Sequence, residues 1–114
     1  MISAPILLEV KTISEPNARG HWAKRAARAR SQRTKARQSA QAAAQAVGLP
    51  AVVRLTRFAP SNGLDDDNLR GALKAVRDGV ADALGIDDRD PRARWEYHQQ
   101  RGEYAVMVEL EAAA

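Results

Sequence analysis

The chain has 114 residues, enough for one domain with a modest core, and it lacks cysteine, which excludes disulfides, zinc–thiolate sites and cysteine nucleophiles. Its five aromatic residues are too few for a surface that stacks single-stranded nucleic acid. The net charge of +4 is unevenly distributed: residues 1–59 hold eleven Lys/Arg and two Asp/Glu, whereas residues 60–114 hold seven Lys/Arg and twelve Asp/Glu. A basic half beside an acidic half suits a phosphate-binding surface around a metal site.

The N-terminal segment predicts a short strand from Ile6 to Lys11, followed by a loop with the turn residues Pro16, Asn17 and Gly20. The apolar run of this strand is too short for a signal peptide or a membrane span, and no basic leader precedes it. We therefore expect a cytoplasmic protein that does not bind a membrane.

A long helix is predicted from about Trp22 to Val47, because apolar residues recur there at alternating spacings of four and three. Most of them are alanine, so the helix should pack closely and bury little area. Arg33 is the one position that breaks the pattern. The apolar positions are Trp22, Ala26, Ala29, Ala36, Ala40, Ala43 and Val47.

The remaining surface of this helix is basic and contains no acidic residue. A face that only improves solubility usually carries charges of both signs, and a membrane-binding helix needs Leu and Phe that this one lacks. We interpret the surface as one that contacts nucleic-acid phosphates, which gives affinity without sequence preference, and a solubilising face is the alternative. The residues predicted to bind are Lys24, Arg25, Arg28, Arg30, Lys35 and Arg37.

A second strand is predicted from Ala51 to Phe58, and the loop 60–63 leads from it into a second helix that ends near Leu84. An Asp or Asn at the start of this helix suits its cap and its dipole. One apolar stripe runs along the helix and is expected to face the core. Its members are Leu69, Leu73, Val76, Val80 and Leu84.

The opposite side of the second helix carries a narrow polar strip that includes Asp67, Gly71, Lys74 and Asp78. Because Gly71 has no side chain, a backbone or a ligand is expected to come close there. The alternative is a solvated face with a Lys74–Asp78 ion pair at the spacing of one helical turn.

Acidic residues cluster at both ends of the second helix, three in Asp65–Asp67 and three in the segment 87–90. Pro91 disfavours helix before it, so a following strand is expected to bring Asp88 towards the first cluster. Crowded carboxylates repel one another unless a cation neutralises them, and hard oxygen ligands suit Mg²⁺ or Mn²⁺. From the residues alone, two interpretations stay open: a divalent-metal site, and a helix cap followed by a polar turn.

Two strands are predicted after the second helix, from Ala93 to Gln99 and from Tyr104 to Leu110. A turn around Gly102 is expected to pair them as a hairpin. The predicted order is β-α-β-α-β-β, which indicates a single α/β domain (1–114) with a small mixed sheet and one long basic helix.

The most specific motif joins the two acidic clusters through the second helix. It comprises Asp65-x-Asp67-Asn68-Leu69, then Lys74 and Asp78, then Leu84-Gly85-Ile86-Asp87-Asp88. This pattern resembles the core of RusA-type Holliday junction resolvases, and the resemblance covers about residues 52–110, with weaker similarity around Pro16-Asn17. It implies a homodimeric, Mg²⁺-dependent endonuclease that cuts four-way DNA junctions and is often encoded by prophages.

Carried over by position, Asp65, Asp67 and Asp88 match the metal-holding catalytic carboxylates of that family, and Lys74 matches its essential lysine. The implied reaction is phosphodiester hydrolysis assisted by Mg²⁺, or by Mn²⁺, with no small-molecule cofactor. Two alternatives remain: a non-catalytic DNA-binding or regulatory protein whose acids only cap the helix, and a less selective nuclease on branched DNA.

Overall fold

The computed structural model describes residues 1–13 and 22–113, so the predicted loop around Pro16 and Asn17 lies outside the described residues. The predicted element order and the α/β class are confirmed, and the strands form one four-stranded mixed sheet in the order β1-β4-β2-β3. The elements are β1 (Ile6–Leu8), α1 (Trp22–Val47), β2 (Ala51–Ala59), α2 (Asp66–Leu84), β3 (Ala93–Arg101) and β4 (Ala105–Ala112).

The predicted hairpin between the last two strands is wrong, because β2 lies between them. β2 pairs in parallel with β3 and antiparallel with β4. The chain crosses from β3 to β4 over the end of β2, where the Gly102 amide donates to the Ala59 carbonyl at 3.0 Å. β2, α2 and β3 therefore form a β-α-β unit, in which the carboxyl ends of two parallel strands and the start of the intervening helix meet at one edge.

The hydrophobic core lies on one face of the sheet: buried residues alternate along β4, and β2 contributes Val53 and Leu55 to the same cluster, although β2 is buried along most of its length. Both helices cover this face. The predicted apolar stripe of α2 is buried from Leu69 to Val80, and Leu84 is partly buried. The core residues of the sheet include Val53, Leu55, Val106, Val108 and Leu110, and those of α1 are Ala36, Ala40 and Ala44.

The predicted stripe of α1 holds only in its second half. The buried positions follow one another at every fourth residue, from Gln32 to Ala44, while Trp22 is 69% exposed and Ala29 is also exposed. Gln32 is buried because its amide donates to the Lys11 carbonyl at 3.1 Å, which satisfies a polar group in the stripe.

The close approach of a backbone to α2 occurs at Gly79 and not at Gly71. A Cβ placed on Gly79 would overlap the Arg33 carbonyl of α1 and would lie 2.7 Å from the Ala36 Cβ, whereas nothing lies within 4 Å of a Cβ placed on Gly71. Alanines on α1 and a glycine on α2 thus let the two helices pack closely. Neither of the described helices is long and apolar enough to cross a membrane.

Candidate nucleic-acid interface and carboxylate sites

The first acidic cluster forms the start of α2. Asp65 is the N-cap, with extended backbone angles (φ −68°, ψ 169°), and its carboxylate accepts from the backbone N–H of Asn68 at 2.9 Å. Asp66 and Asp67 occupy the first turn, and all three side chains are exposed. The helix dipole favours negative charge here, so the predicted cap is confirmed. A cap explains Asp65 but requires neither an acid at 67 nor three acids together.

A side chain that the sequence analysis missed holds the loop before this cluster. The Gln99 amide of β3 binds both backbone groups of Leu64: its Oε1 accepts from the Leu64 amide at 2.8 Å, and its Nε2 donates to the Leu64 carbonyl at 2.7 Å. Asp65 is therefore anchored to the carboxyl end of β3. That edge of an α/β sheet is where ligands commonly bind.

The second acidic cluster follows the end of α2, which Gly85 terminates in the left-handed conformation (φ 72°). The Asp88 carboxylate lies 3.8 Å from Lys74 Nζ and 3.6 Å from Arg77 Nε, and Arg77 also donates to the Asp88 carbonyl at 2.6 Å. Lys74 Nζ lies 3.2 Å from Asp78 as well. The predicted Lys74–Asp78 pair is confirmed, and Lys74 stands between two carboxylates.

Asp88 does not approach Asp65 and Asp67, which corrects the expectation from the sequence. Its carboxylate contacts the ammonium of Lys74, whose Cα lies nine residues after that of Asp65, about 13 Å along the helix axis. Across residues 1–13 and 22–113, no group of three or more potential ligand side chains is placed to hold a metal ion. The physical reason is Arg77, which binds both the carbonyl and the carboxylate of Asp88 beside the middle of α2.

Arg77 has further contacts that fix it in place. It donates to the Tyr97 hydroxyl, and its guanidinium lies over the Trp95 ring, 4.7 Å from the centroid. These two aromatic residues of β3 thus position the cation that holds Asp88. No spacing in the sequence points to this long-range arrangement.

The exposed pair Asp65 and Asp67 still suits a divalent metal ion in its donor chemistry. Mg²⁺ commonly binds to proteins through one or two carboxylates and completes its shell with substrate phosphate and water. Two carboxylates at an exposed helix start match that mode. Asp88, held by two cations further along α2, is not part of this set.

A groove of about 340 Å³ lies between α1 and α2 and brings predicted residues of both helices together. The polar strip of α2 forms one wall of the groove. Gly71 contributes no side chain to this wall. The other wall is basic, so the groove has four cationic side chains and one acid. Its charged residues are Arg28, Arg30 and Arg33 from α1 and Lys74 and Asp78 from α2.

One cation of the groove is already paired across the helices. Arg33 donates to both oxygens of Asp82, at 2.7 and 2.9 Å. These hydrogen bonds lower the pKa of the Asp82 carboxyl below its usual value. Arg33, which interrupted the predicted apolar stripe, therefore links α1 to α2 through an ion pair.

The other predicted nucleic-acid contacts are distributed around α1. Lys24, Lys35 and Arg37 are exposed, and Arg30 borders both the groove and the outer surface next to Lys35. Arg25 and Arg28 are half-buried. The helix thus presents cations on more than one side.

No family model matches the chain. An "Uncharacterized protein" of Xylella fastidiosa (strain Temecula1 / ATCC 700964) is 42% identical to it over 80 residues, which is 65% of this chain and 52% of that protein. The chain therefore spans about half the length of the curated relative it matches. This similarity carries no information on activity, so the function has to be argued from the site.

Proposed function

We propose that the chain is a Mg²⁺-dependent endodeoxyribonuclease of the RusA type, which resolves four-way DNA junctions by phosphodiester hydrolysis in the cytoplasm. The single observation that supports it most is the groove between α1 and α2. There Lys74 of the acidic motif lies beside Arg28 and Arg30 of the basic helix. A phosphate backbone in this groove would be neutralised by α1 while the helix that carries the acids lies alongside.

In this proposal Asp65 and Asp67 hold the metal ion, Mg²⁺ or alternatively Mn²⁺. The bound ion would polarise the scissile phosphate and lower the pKa of an attacking water. Both carboxylates are exposed, so a metal ion and a phosphate would approach them directly from solvent. The Asp65 carboxylate is held by the Asn68 amide, and Gln99 fixes the loop that precedes it.

Lys74 neutralises negative charge that develops on the phosphate during hydrolysis. Its ammonium lies between Asp78 and Asp88, at 3.2 and 3.8 Å, so both carboxylates orient it. Asp88 acts through Lys74 in the described conformation, which differs from the ligand role that the resemblance implies.

A second candidate is a non-catalytic DNA-binding or regulatory protein with the same fold. It is favoured by the cap at Asp65, which gives one acid a purely structural task, and by the separation of Asp88 from the helix start. A less selective nuclease on branched DNA is a variant of the first proposal. All three bind DNA through α1 and differ in cleavage and in the shape they require.

The experiment that separates them incubates purified protein with an end-labelled four-way junction, with flap and fork substrates and with a linear duplex of the same sequence, in Mg²⁺ or in EDTA. The proposal predicts cleavage of the junction alone, and only in Mg²⁺. Binding of both substrates without cleavage would identify the non-catalytic candidate, and cleavage of flaps and forks at equal rates would identify the less selective nuclease.

A further inference from the structure

A buried cation lies near the carboxyl end of β2. Arg57 is only 4% exposed; its Nε donates to the Thr12 hydroxyl at 3.0 Å and its Nη2 to the Thr12 carbonyl at 3.1 Å. Within residues 1–13 and 22–113, no carboxylate lies within ion-pair distance of it. A buried charge is costly unless an opposite charge accompanies it, so the surroundings of Arg57 favour an anion.

Arg57 lines a cavity of about 230 Å³ at this end of the sheet. Among the residues that the structure describes, its lining includes a second arginine, Arg101, and no acidic residue. The other lining side chains are small or neutral and polar, so hydrogen-bond donors surround a net charge of +2. The described residues that line it are Arg57, Ala59, Ser61, Asn62, Gly63, Gln99, Gln100 and Arg101.

The loop that leads to Asp65 and Asp67 also lines the cavity, through residues 61–63. Arg57 is the register partner of Gln99, and Ala59 is that of Arg101, so the cavity lies at the carboxyl ends of two parallel strands. Gln99 also binds both backbone groups of Leu64, the residue before Asp65. An anion in this cavity would therefore lie close to the start of α2.

We propose that this cavity binds a phosphate group, and that the phosphate comes from the DNA backbone next to the bond that is cut. A guanidinium offers five N–H donors; Thr12 takes up two of those of Arg57, which leaves others for phosphate oxygens. Exposed Arg101 supplies the second charge. The choice of DNA as the source rests on the proposed function, whereas the phosphate chemistry does not.

The test compares Arg101→Gln with Arg94→Gln, which removes the same charge from an exposed position at the other end of β3. Junction binding is measured by fluorescence anisotropy in EDTA at several salt concentrations, so cleavage plays no part. We expect Arg101→Gln to weaken binding about 5–10-fold and to reduce the salt slope by about 1, and Arg94→Gln to change affinity less than about twofold. Equal affinities for both variants would overturn the assignment to DNA.

A second arm titrates inorganic phosphate into the wild-type protein and follows the amide resonances of Ser61, Asn62 and Gly63 and the Arg57 Nε resonance by NMR. Saturable shifts that disappear in Arg101→Gln support the cavity as a phosphate site. If phosphate shifts the resonances but Arg101→Gln binds DNA as tightly as the wild type, the cavity binds free phosphate and the DNA source is overturned. If phosphate causes no shifts, the site itself is overturned. Loss of nuclease activity in every assay, with the Arg101 effect intact, would refute the proposed function alone.

Discussion

Two glycines of α2 illustrate how much a single residue depends on its surroundings. The sequence drew attention to Gly71 because it interrupts a charged strip, yet α1 packs against Gly79. Both lie within a helix, so their conformations alone do not distinguish them. Only the position of the partner helix does, and no local pattern in the sequence encodes it.

We expect Gly79→Ala to destabilise the protein by about 1–3 kcal/mol, because its Cβ would overlap the Arg33 carbonyl and force the helices apart. Gly71→Ala is the matched control, and we expect it to stabilise the protein by about 0.5–1 kcal/mol through helix propensity alone. Urea unfolding followed by circular dichroism measures both. A Gly79→Ala variant as stable as the wild type would contradict the close packing of α1 on α2.

The Arg33–Asp82 pair predicts a dependence of stability on pH. The pKa of Asp82 is lowered in the folded state, mainly by the hydrogen bonds from Arg33, so the pair contributes stability above the unfolded pKa, near 4. That contribution is lost as the pH falls through the lower, folded pKa. Because both side chains are partly exposed, we expect it to be below about 1 kcal/mol.

The check compares the unfolding free energies of the wild type and Asp82→Asn at pH 7 and at pH 3. We expect the variant to be less stable at pH 7 and the difference to shrink at pH 3, below the unfolded pKa, because the unfolded wild type takes up a proton at Asp82 there. A difference that is the same at both pH values would mean that the carboxylate charge does not stabilise the helix pair.

Those parts of the candidate site that depend on contacts within one helix could be predicted from the sequence. The cap at Asp65 and the Lys74–Asp78 pair follow from spacings within one helix, and both are confirmed. The position of Asp88 depends on Arg77, which is held in turn by Tyr97 and Trp95 of another strand. Such contacts arise only when the chain has folded, so the expected meeting of Asp88 with Asp65 failed.

At the scale of elements, all six predicted helices and strands are present, because apolar periodicity is a local property. Their neighbours were harder to predict. Val52, Val53 and Leu55 in β2 are all buried, as in an interior strand, and β2 pairs with β3 at one edge and with β4 at the other. Alternation in the last two strands indicated their existence but not that β2 would lie between them.

The basic surface of α1 predicts a specific change in DNA binding. We expect Arg30→Gln/Lys35→Gln to weaken binding to junction and duplex alike and to reduce the dependence on salt, because phosphate contacts are independent of sequence and release counterions. The matched control, Arg92→Gln/Arg94→Gln, removes two exposed charges, one just before β3 and one at its second residue. An unchanged salt slope in the α1 variant would assign its charges to solubility.

At the scale of the whole molecule, we expect the active unit to be a symmetric dimer. One chain carries one Asp65–Asp67 pair, whereas a four-way junction has two scissile strands related by approximate two-fold symmetry, and C₂ is the commonest arrangement of two copies. Sedimentation at micromolar concentration should give about twice the chain mass of 12.4 kDa. A monomer that only nicks a supercoiled cruciform plasmid would contradict this expectation.

We propose that Asp65 and Asp67 hold the metal ion that cleavage requires, and the neighbouring Asp66 provides a matched control. All three are exposed at the start of α2, but Asp66 borders β3 at Trp95 and Tyr97. Asn caps a helix as well as Asp does, so Asp65→Asn keeps the fold while it removes a charge.

The measurement is the single-turnover rate of junction cleavage in Mg²⁺ for Asp65→Asn, Asp67→Asn and Asp66→Asn, with junction affinity measured in parallel. We predict that the first two variants lose at least about a hundredfold in rate and bind the junction as tightly as the wild type or more tightly, while Asp66→Asn stays within a few-fold of the wild type. Cleavage at the wild-type rate by Asp65→Asn and Asp67→Asn, or an equal loss of rate in all three variants, would contradict the assignment of the metal site to Asp65 and Asp67.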